Sequence, residues 1–193
     1  MKKDQRWVVT RIDGKIASVS ADFRGLARVS EYVAKLPSDN ISEITVTKVS
    51  TDDLAELSMT TKWEDMRIAG TPFQLNVWRK LYLLTHHEDG TPIMPGEGIK
   101  LLSYSQLADL CENPRGVRAV AHAVACNPVA YIIPCHLIVP KEAIDKILAI
   151  RTVAEGTIFK GTDLYLLDSI EVGEYEYGSE LKRRVIERQL YGR

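Results

Sequence analysis

The sequence predicts two domains of different class: a small mixed α/β domain over residues 1–68 and a mainly α-helical domain over residues 69–193. The first prediction rests on two stretches of alternating apolar residues with a helical stretch between them. The second rests on two sequences typical of helix starts, Thr71-Pro72-Phe73-Gln74 and Ser103-Tyr104-Ser105-Gln106. A chain of 193 residues is long enough for two domains that each have a core of their own.

Apolar spacing and turn residues define the elements of the first domain. Residues 7–19 alternate around Asp13-Gly14, a dipeptide typical of a β-hairpin turn. Residues 25–36 carry apolar side chains at helical spacing, residues 41–49 alternate as a strand, and a short helix is predicted from Thr51. Nothing in this region indicates chemistry, so we expect it to be structural.

A capping box with proline at the first helical position predicts a helix after Gly70. Its expected buried stripe consists of Phe73, Val77, Leu81 and Leu84. Residues 85–99 follow as a loop rich in glycine, proline and charge. We expect the two histidines of this loop, His86 and His87, to be solvated rather than to bind a metal.

Two closely spaced helices after residue 103 predict a helix-turn-helix. Ser103 begins the first, and Asn113-Pro114 is expected to cap the second after a break of a residue or two. The buried stripe of the second helix is predicted to be Val117, Val120, Ala121 and Val124. Arg115, Arg118 and His122 are expected on its opposite face. That face suits either solvent or the phosphates and bases of a nucleic acid.

Composition restricts the class of protein without identifying a partner. The net charge is −1 and the sequence pI about 6.4, so a nucleic-acid site would have to be a local patch. No apolar run reaches the length of a membrane span, and the first residues do not resemble a signal peptide, so we expect a cytoplasmic protein without a membrane partner. The three cysteines are odd in number and lack metal-ligand spacing, which argues against a disulfide framework or a zinc site.

Residues 127–136, Asn-Pro-Val-Ala-Tyr-Ile-Ile-Pro-Cys-His, carry the strongest functional signal. An apolar strand is predicted over residues 129–133, and it leads through Pro134 to Cys135 and His136. A cysteine reacts as its thiolate, and a neighbouring base or positive charge favours that form near neutral pH. Together with the basic helix before it, this run predicts a thiol presented to a polyanion.

The motifs of the second domain, taken in order, resemble the alkylguanine-DNA alkyltransferases, also called methylated-DNA–protein-cysteine methyltransferases. The resemblance covers about residues 68–193, with gaps. The matching residues are Gly70-Thr71-Pro72-Phe73-Gln74 with Val77-Trp78, Ser103-Tyr104-Ser105-Gln106-Leu107-Ala108, Asn113-Pro114-Arg115 with Val117-Arg118-Ala119-Val120, Asn127-Pro128, Pro134-Cys135-His136, and Gly173-Glu174-Tyr175-Glu176-Tyr177-Gly178 with Lys182.

The resemblance implies a single-turnover DNA repair reaction. Cys135 would take the alkyl group, such as methyl, from the exocyclic oxygen of guanine in DNA and keep it irreversibly. His136 would draw the thiol proton through a water, and Asn127 would brace the turn that holds the active site. Gln189 stands where the family has a glutamate bonded to that histidine. The chemistry would need neither a metal nor an organic cofactor.

The same resemblance implies how DNA is bound. Double-stranded DNA would be held by its minor groove, and the damaged guanine would be rotated out of the stack. Arg118 would fill the space that the base leaves, Tyr104 would press on the neighbouring phosphate, and Tyr104 and Tyr175 would line the base pocket. Arg115 and His122 would add contacts from the same face. The implied fold is a ribonuclease-H-like first domain and a winged-helix-like second domain, in a monomer.

Three departures from the family pattern stand out. Leu137-Ile138 replace the usual Arg-Val after Pro-Cys-His. Residues 141–172 contain an insert, within which residues 143–153 are predicted to form a helix. Gln189 can accept a hydrogen bond from the imidazole but cannot stabilise an imidazolium by charge. We therefore expect Cys135 to be less strongly activated than in efficient family members.

Two alternatives to repair by transfer follow from the residues. An alkyltransferase-like protein that binds damaged bases with little or no transfer is favoured by Leu137, Gln189 and the insert, whereas the retained Cys135 argues against it. A Cys-His hydrolytic or acyl-transfer enzyme is the other alternative. It lacks support because the sequence has no glycine-rich loop suited to bind an oxyanion.

Overall fold

The structure is a computed structural model that describes residues 6–21, 24–34, 41–95, 97–154, 167–168 and 170–191. The chain forms two compact units. The first comprises Met1–Pro92 and Cys126–Cys135, and the second comprises Ile93–Ala125 and His136–Arg193. The first boundary between the units lies between Pro92 and Ile93, later in the chain than the predicted domain boundary between residues 68 and 69. Residues 126–135 belong to the first unit again.

A three-stranded antiparallel sheet forms the centre of the first unit. Its strands β1 (Trp7–Ile12), β2 (Lys15–Ser20) and β3 (Ile44–Val49) lie in the order β2-β1-β3. Asp13 and Gly14 have φ angles of 51° and 80°, the positive values required at both central positions of the tight turn that matches strand twist. The predicted hairpin is therefore confirmed.

Two helices pack near the sheet in this unit. Helix α1 (Arg24–Val33) contributes Val29 to a buried cluster with Ile12 and Ala17. Helix α2 (Thr51–Thr60) is capped by Ser50, whose hydroxyl and backbone N–H are both bonded to Asp53. Both helices are predicted from the sequence, although Leu36, the expected last apolar residue of the first, lies outside the described residues.

Helix α3 (Pro72–Tyr82) starts at the predicted capping box. Val77 and Leu81 are fully buried as expected, but Phe73 and Leu84 are only half-buried. Trp78 and Tyr82 are buried instead, at 2% and 0% exposure, so the apolar face of α3 is rotated from the predicted one. Gly70 accommodates this rotation, because a Cβ atom there would lie 2.6 Å from the Trp78 ring.

The expectation that both loop histidines are solvated is wrong for His86, which is 3% exposed. Its Nε2 lies 2.9 Å from the carbonyl oxygen of Ser58, and its ring stacks on Tyr82 with centroids 4.0 Å apart. Burial lowers the pKa of His86. The ring that covers His86 is that of Tyr82, in the last turn of α3. Residues 85–99 taken alone do not contain it, and for this reason they suggest a solvated histidine.

In the second unit a short parallel pair joins strands β4 (Leu102–Ser103) and β5 (Ile138–Val139). Helix α6 (Lys141–Ala154) begins just after β5 and confirms the helix predicted in the insert. The last helix is α7 (Ser179–Tyr191). The core of this region consists of Val139, Ala143, Leu167, Ile170, Val172 and Ile186. Residues 155–166 and 169 of the insert lie outside the described residues.

Helices α4 (Tyr104–Leu110) and α5 (Val117–Ala125) pack against each other, but their connection is longer than predicted. Glu112 takes a positive φ of 56°, and the N–H of Asn113 donates to the carbonyl of Ala108 at 2.9 Å. Asn113 therefore closes the first helix, and the prediction that it caps the second is wrong. The first carbonyl bonded within α5 is that of Gly116, which accepts from Val120 at 2.9 Å.

None of the described helices is both long and apolar enough to cross a membrane.

The capping box of α3 makes a testable contribution to stability. The Thr71 hydroxyl accepts from the Gln74 N–H at 3.2 Å, and the Gln74 side chain accepts from the Thr71 N–H at 2.9 Å. Thr71→Ala removes the first of these bonds, so we expect the free energy of unfolding to fall by about 1 kcal/mol in urea titrations. Thr71→Ser keeps the hydroxyl and should stay near the parent; equal losses in both variants would contradict this role.

Candidate active site

The segment before Cys135 is shaped by the side chain of Asn127, which is 5% exposed. Its Nδ2 donates to the carbonyl of Ile133 at 2.8 Å, and its Oδ1 accepts from the N–H of Val129 at 3.0 Å. The N–H of Ile133 also donates to the carbonyl of Val129 at 3.0 Å. The segment is therefore a closed turn, and the prediction of a regular strand over residues 129–133 is wrong.

This turn is buried against the sheet of the first unit. The carbonyl of Val19 in β2 accepts from Ala130, and the N–H of Val19 donates to Pro128, both at 3.0 Å. Tyr131 has a φ of 75°, a left-handed conformation that costs free energy in a residue with a side chain. Its ring meets Trp7 edge to face, with centroids 6.1 Å apart. Packing thus holds the turn in a conformation that the backbone disfavours.

Cys135 begins a short 3-10 helix, Cys135–Leu137, directly after this turn. Its N–H donates to the carbonyl of Ile133 at 2.8 Å, which fixes the backbone from which the thiol projects. Cys135 is half-buried, whereas His136 and Leu137 are fully buried at 0% exposure. Leu137 is apolar at a position without access to water, so it needs no hydrogen-bond partner there.

The imidazole of His136 is hydrogen-bonded through Nε2 to the side-chain oxygen of Gln189, which is 8% exposed. Since that oxygen only accepts, Nε2 carries the proton and the basic lone pair of the neutral ring is on Nδ1. Burial lowers the pKa of His136 to about 3. The bond from Gln189 opposes that shift, and the positive charge of Lys182 adds to it. His136 is therefore a neutral imidazole with a defined tautomer.

Lys182, which the sequence indicates only as part of the family motif, is a buried cation near His136. It is 1% exposed, and its Nζ donates to the carbonyl of Ile138 at 2.8 Å and lies 3.5 Å from that of Glu174. The available signal is its spacing in α7, because Lys182 lies three and four residues before the buried Val185 and Ile186. A lysine on an apolar face is a candidate for a specific buried role.

Glu187, the carboxylate nearest to Gln189 in sequence, has different surroundings. Burial raises its pKa, and the negative charges of Asp168 and Glu180 add to that shift. The partner of His136 is Gln189. Glu187 lies two residues earlier, and at 3.6 residues per turn its side chain leaves α7 on another side.

The residues predicted to contact DNA lie around α4 and α5. Arg115, Arg118 and His122 are exposed. The prediction that all three share one face of the helix is wrong for Arg115, because Arg115 precedes α5. The buried stripe of α5 is Val120, Ala123 and Val124, while Val117 and Ala121 are half-buried. The predicted stripe is therefore confirmed at Val120 and Val124, and Ala123 takes the buried place expected for Ala121.

The two tyrosines predicted to line a base pocket are both half-buried. Tyr104 is the first residue of α4, whose N-terminus is capped by Ser103. Tyr175 meets Tyr177 edge to face, with centroids 5.4 Å apart. Within the described part of the chain, no three histidine, cysteine or acidic side chains are grouped so as to hold a metal ion.

Comparison with known proteins identifies the family. Residues 95–146 match the family described as 6-O-methylguanine DNA methyltransferase, DNA binding domain. A methylated-DNA–protein-cysteine methyltransferase of Methanosarcina mazei is 30% identical over 128 residues, which cover 63% of this chain and 73% of that protein. The chain belongs to the methylated-DNA–protein-cysteine methyltransferase family.

Other members of the methyltransferase family match over shorter stretches. A mimivirus protein named a probable methylated-DNA–protein-cysteine methyltransferase is 39% identical over 78 residues, which cover 40% of this chain and 44% of that protein. A Haemophilus influenzae relative is 38% identical over 73 residues, which cover 38% of this chain and 34% of that protein. The chain thus spans less than half the length of these curated relatives.

A solved structure supports the fold of the methyltransferase family. The O6-methylguanine-DNA methyltransferase of the archaeon Pyrococcus kodakaraensis matches with a TM-score of 0.53 at 16% identity, covering 98% of this chain and 94% of that one. The likeness shows a shared mixed α/β fold.

The state of His136 can be measured by the nitrogen chemical shifts of its ring. With a folded pKa of about 3 against an ordinary 6.5, we expect a neutral ring protonated on Nε2 from pH 8 down to about pH 5. Between pH 6.5 and about pH 3, the ordinary and the folded pKa, the unfolded chain binds a proton at His136 that the folded chain does not. The free energy of unfolding therefore falls as the pH falls through this range. Gln189→Glu should raise the pKa of His136, because a carboxylate stabilises the imidazolium. A ring that titrates near pH 6.5 in the parent protein would contradict the assignment.

Proposed function

We propose that this protein repairs alkylated DNA by moving an alkyl group from the exocyclic oxygen of guanine to its own Cys135. The observation that carries the proposal is the short 3-10 helix in which the half-buried Cys135 directly precedes a buried His136 whose basic nitrogen is Nδ1. Membership of the methyltransferase family supports the same reaction. In that 3-10 helix a nucleophile and a base are adjacent in sequence, and separate hydrogen bonds hold each of them.

The reaction balances without a metal or an organic cofactor. The sulfur of Cys135 forms a bond to the alkyl carbon while the bond from that carbon to the guanine oxygen breaks, and the electron pair stays with guanine. The thiol proton passes through a water toward Nδ1 of His136, and a proton returned to guanine restores the normal base. The product is a thioether that has no leaving group, so each molecule acts once.

Gln189 limits how strongly the thiol is activated in this proposal. An imidazolium at His136 would form in a buried place, near the charge of Lys182 and hydrogen-bonded to the uncharged amide of Gln189. Such a cation is unfavourable, so the proton transfer contributes less than it would with a charged partner. We therefore retain the expectation that Cys135 is less strongly activated than in efficient members of the family.

Duplex DNA is the proposed partner, bound by its minor groove with the damaged guanine rotated out. The exposed Arg118 on α5 would fill the stack, which offsets part of an unstacking cost of a few kcal/mol. Arg115 and His122 would contact the backbone beside it, Tyr104 the phosphate next to the rotated base, and Tyr175 the base. We further propose that the first domain is ribonuclease-H-like, that the second is winged-helix-like, and that the protein acts as a monomer.

Binding of damaged bases without transfer is the second candidate, and Gln189 and Leu137 are the residues that favour it. Both positions are compatible with a folded site: Leu137 is fully buried and Gln189 bonds His136. The retained Cys135 and the names of the relatives support transfer instead.

The deciding experiment is mass spectrometry after incubation with a duplex that contains O6-methylguanine. We expect the intact mass to rise by one methyl group, localised to the peptide with Cys135, and no increase in Cys135→Ala. Cys126→Ala is the matched control, because Cys126 is also half-buried and should leave the increase unchanged. Tight binding of the duplex without a mass change would select the damage-binding alternative.

Arg118 is expected to matter for DNA but not for the chemistry at sulfur. Arg118→Ala should slow alkyl transfer from the duplex by about tenfold or more, because the unstacked duplex loses the side chain that fills it. Transfer from a free O6-substituted guanine should stay within about twofold, since no stack is opened. Single-turnover rates on the two substrates check this, and equal losses on both would overturn the role of Arg118.

A further inference from the structure

The end of the insert is part of the core of the second unit. Leu167, Ile170 and Val172 are 2%, 1% and 0% exposed, and they share a cluster with Val139 after the Cys-His turn and with Ile186 of α7. These residues lead directly into Gly173 and the segment that carries Tyr175. The insert therefore supplies the packed support from which that segment starts.

Arg183 of α7 binds this support through two backbone carbonyls. Its Nε donates to the carbonyl of Leu167 at 3.2 Å, and its Nη2 donates to that of Ile170 at 2.8 Å. A guanidinium is planar and holds its donors in a fixed fork, so one side chain can fix two carbonyls of a single segment. A lysine has a single nitrogen and could not reproduce this pair of bonds with the same geometry.

Gly173 and Glu174, the next residues, are held by Pro140 and Lys182. Gly173 has a φ of +76°, and a Cβ atom there would lie 3.0 Å from the ring of Pro140. The ammonium of Lys182 lies 3.5 Å from the carbonyl of Glu174. Arg183 thus bonds the chain just before Val172, and its neighbour in α7, Lys182, bonds it at Glu174, directly before Tyr175.

We propose that Arg183 is a positioning residue that sets the affinity of this protein for the base, by anchoring the end of the insert so that the segment 173–177 presents Tyr175 to a guanine. This inference rests on the proposed function. Arg183 does not touch the substrate in this role; it reduces the conformational freedom that the base-binding segment would lose on binding.

The contacts of the reacting groups are separate from those of Arg183. Asn127 closes the turn before Cys135, and Gln189 bonds His136. Loss of Arg183 should therefore weaken substrate binding and leave the chemical step intact. A purely structural residue would not separate the two quantities in this way.

The test measures alkylation of Cys135 by free O6-benzylguanine over a range of concentrations, by intact mass. For Arg183→Ala we expect the half-saturating concentration to rise about tenfold, the effect typical of losing hydrogen bonds from a charged donor. The limiting rate should stay within about twofold. Arg183→Lys keeps one donor and should be intermediate. Arg184→Ala is the matched control, because Arg184 is the exposed neighbour in the same helix.

Hydrogen exchange of the same proteins separates failure of this inference from failure of the proposed function. We expect faster exchange over residues 172–177 in Arg183→Ala and unchanged exchange over residues 129–135. Normal alkylation with an unchanged half-saturating concentration in Arg183→Ala overturns the inference and leaves the function intact. If Arg183→Ala does not fold, an unchanged value in Arg183→Lys overturns it instead. If no alkylated guanine modifies the parent protein, the proposed function itself is refuted, and the role of Arg183 in base binding is refuted with it.

Discussion

A side-chain amide closes the turn that precedes Cys135, and the geometry of the candidate site depends on it. Asn127 donates to the carbonyl of Ile133 and accepts from the N–H of Val129, so both ends of the turn are bonded to one group. Burial makes these bonds obligatory, because an unpaired N–H in an apolar interior costs about 1–3 kcal/mol. The same turn keeps Tyr131 in a left-handed conformation against Trp7. The thiol is thus attached to a backbone with little freedom.

Much of the fold could be predicted from the sequence where local rules decide the structure. The Asp13-Gly14 hairpin, the capping boxes at Thr71 and Ser103, and the helix of the insert all depend on residues close together in the chain. The prediction of a strand over residues 129–133 is wrong because bonds from outside the segment decide its path. The apolar residues of the segment predict a strand, whereas hydrogen bonds to the side chain of Asn127 and to the carbonyl of Val19 close it into a turn.

The candidate site could be predicted only in part for the same reason. The family resemblance points to Cys135, His136 and Asn127, and it also implies Gln189, seven residues after Lys182, as the partner of His136. The hydrogen bond between His136 and Gln189 agrees with that expectation. The buried role of Lys182 and the two bonds of Arg183 could not be predicted, because both depend on carbonyls of other segments. A sequence pattern records side chains, and it does not indicate which main-chain oxygens will lie within their reach.

The buried Lys182 has a consequence for the charge balance of the proposed reaction. Proton transfer from the thiol would turn His136 into an imidazolium, whose positive charge would add to that of the Lys182 ammonium. The hydrogen-bond partner of the imidazole is the uncharged amide of Gln189, so that bond supplies no negative charge to offset the repulsion. Like charges in a buried place are poorly screened, and Lys182 therefore disfavours the charged form of the base that the proposed reaction would use.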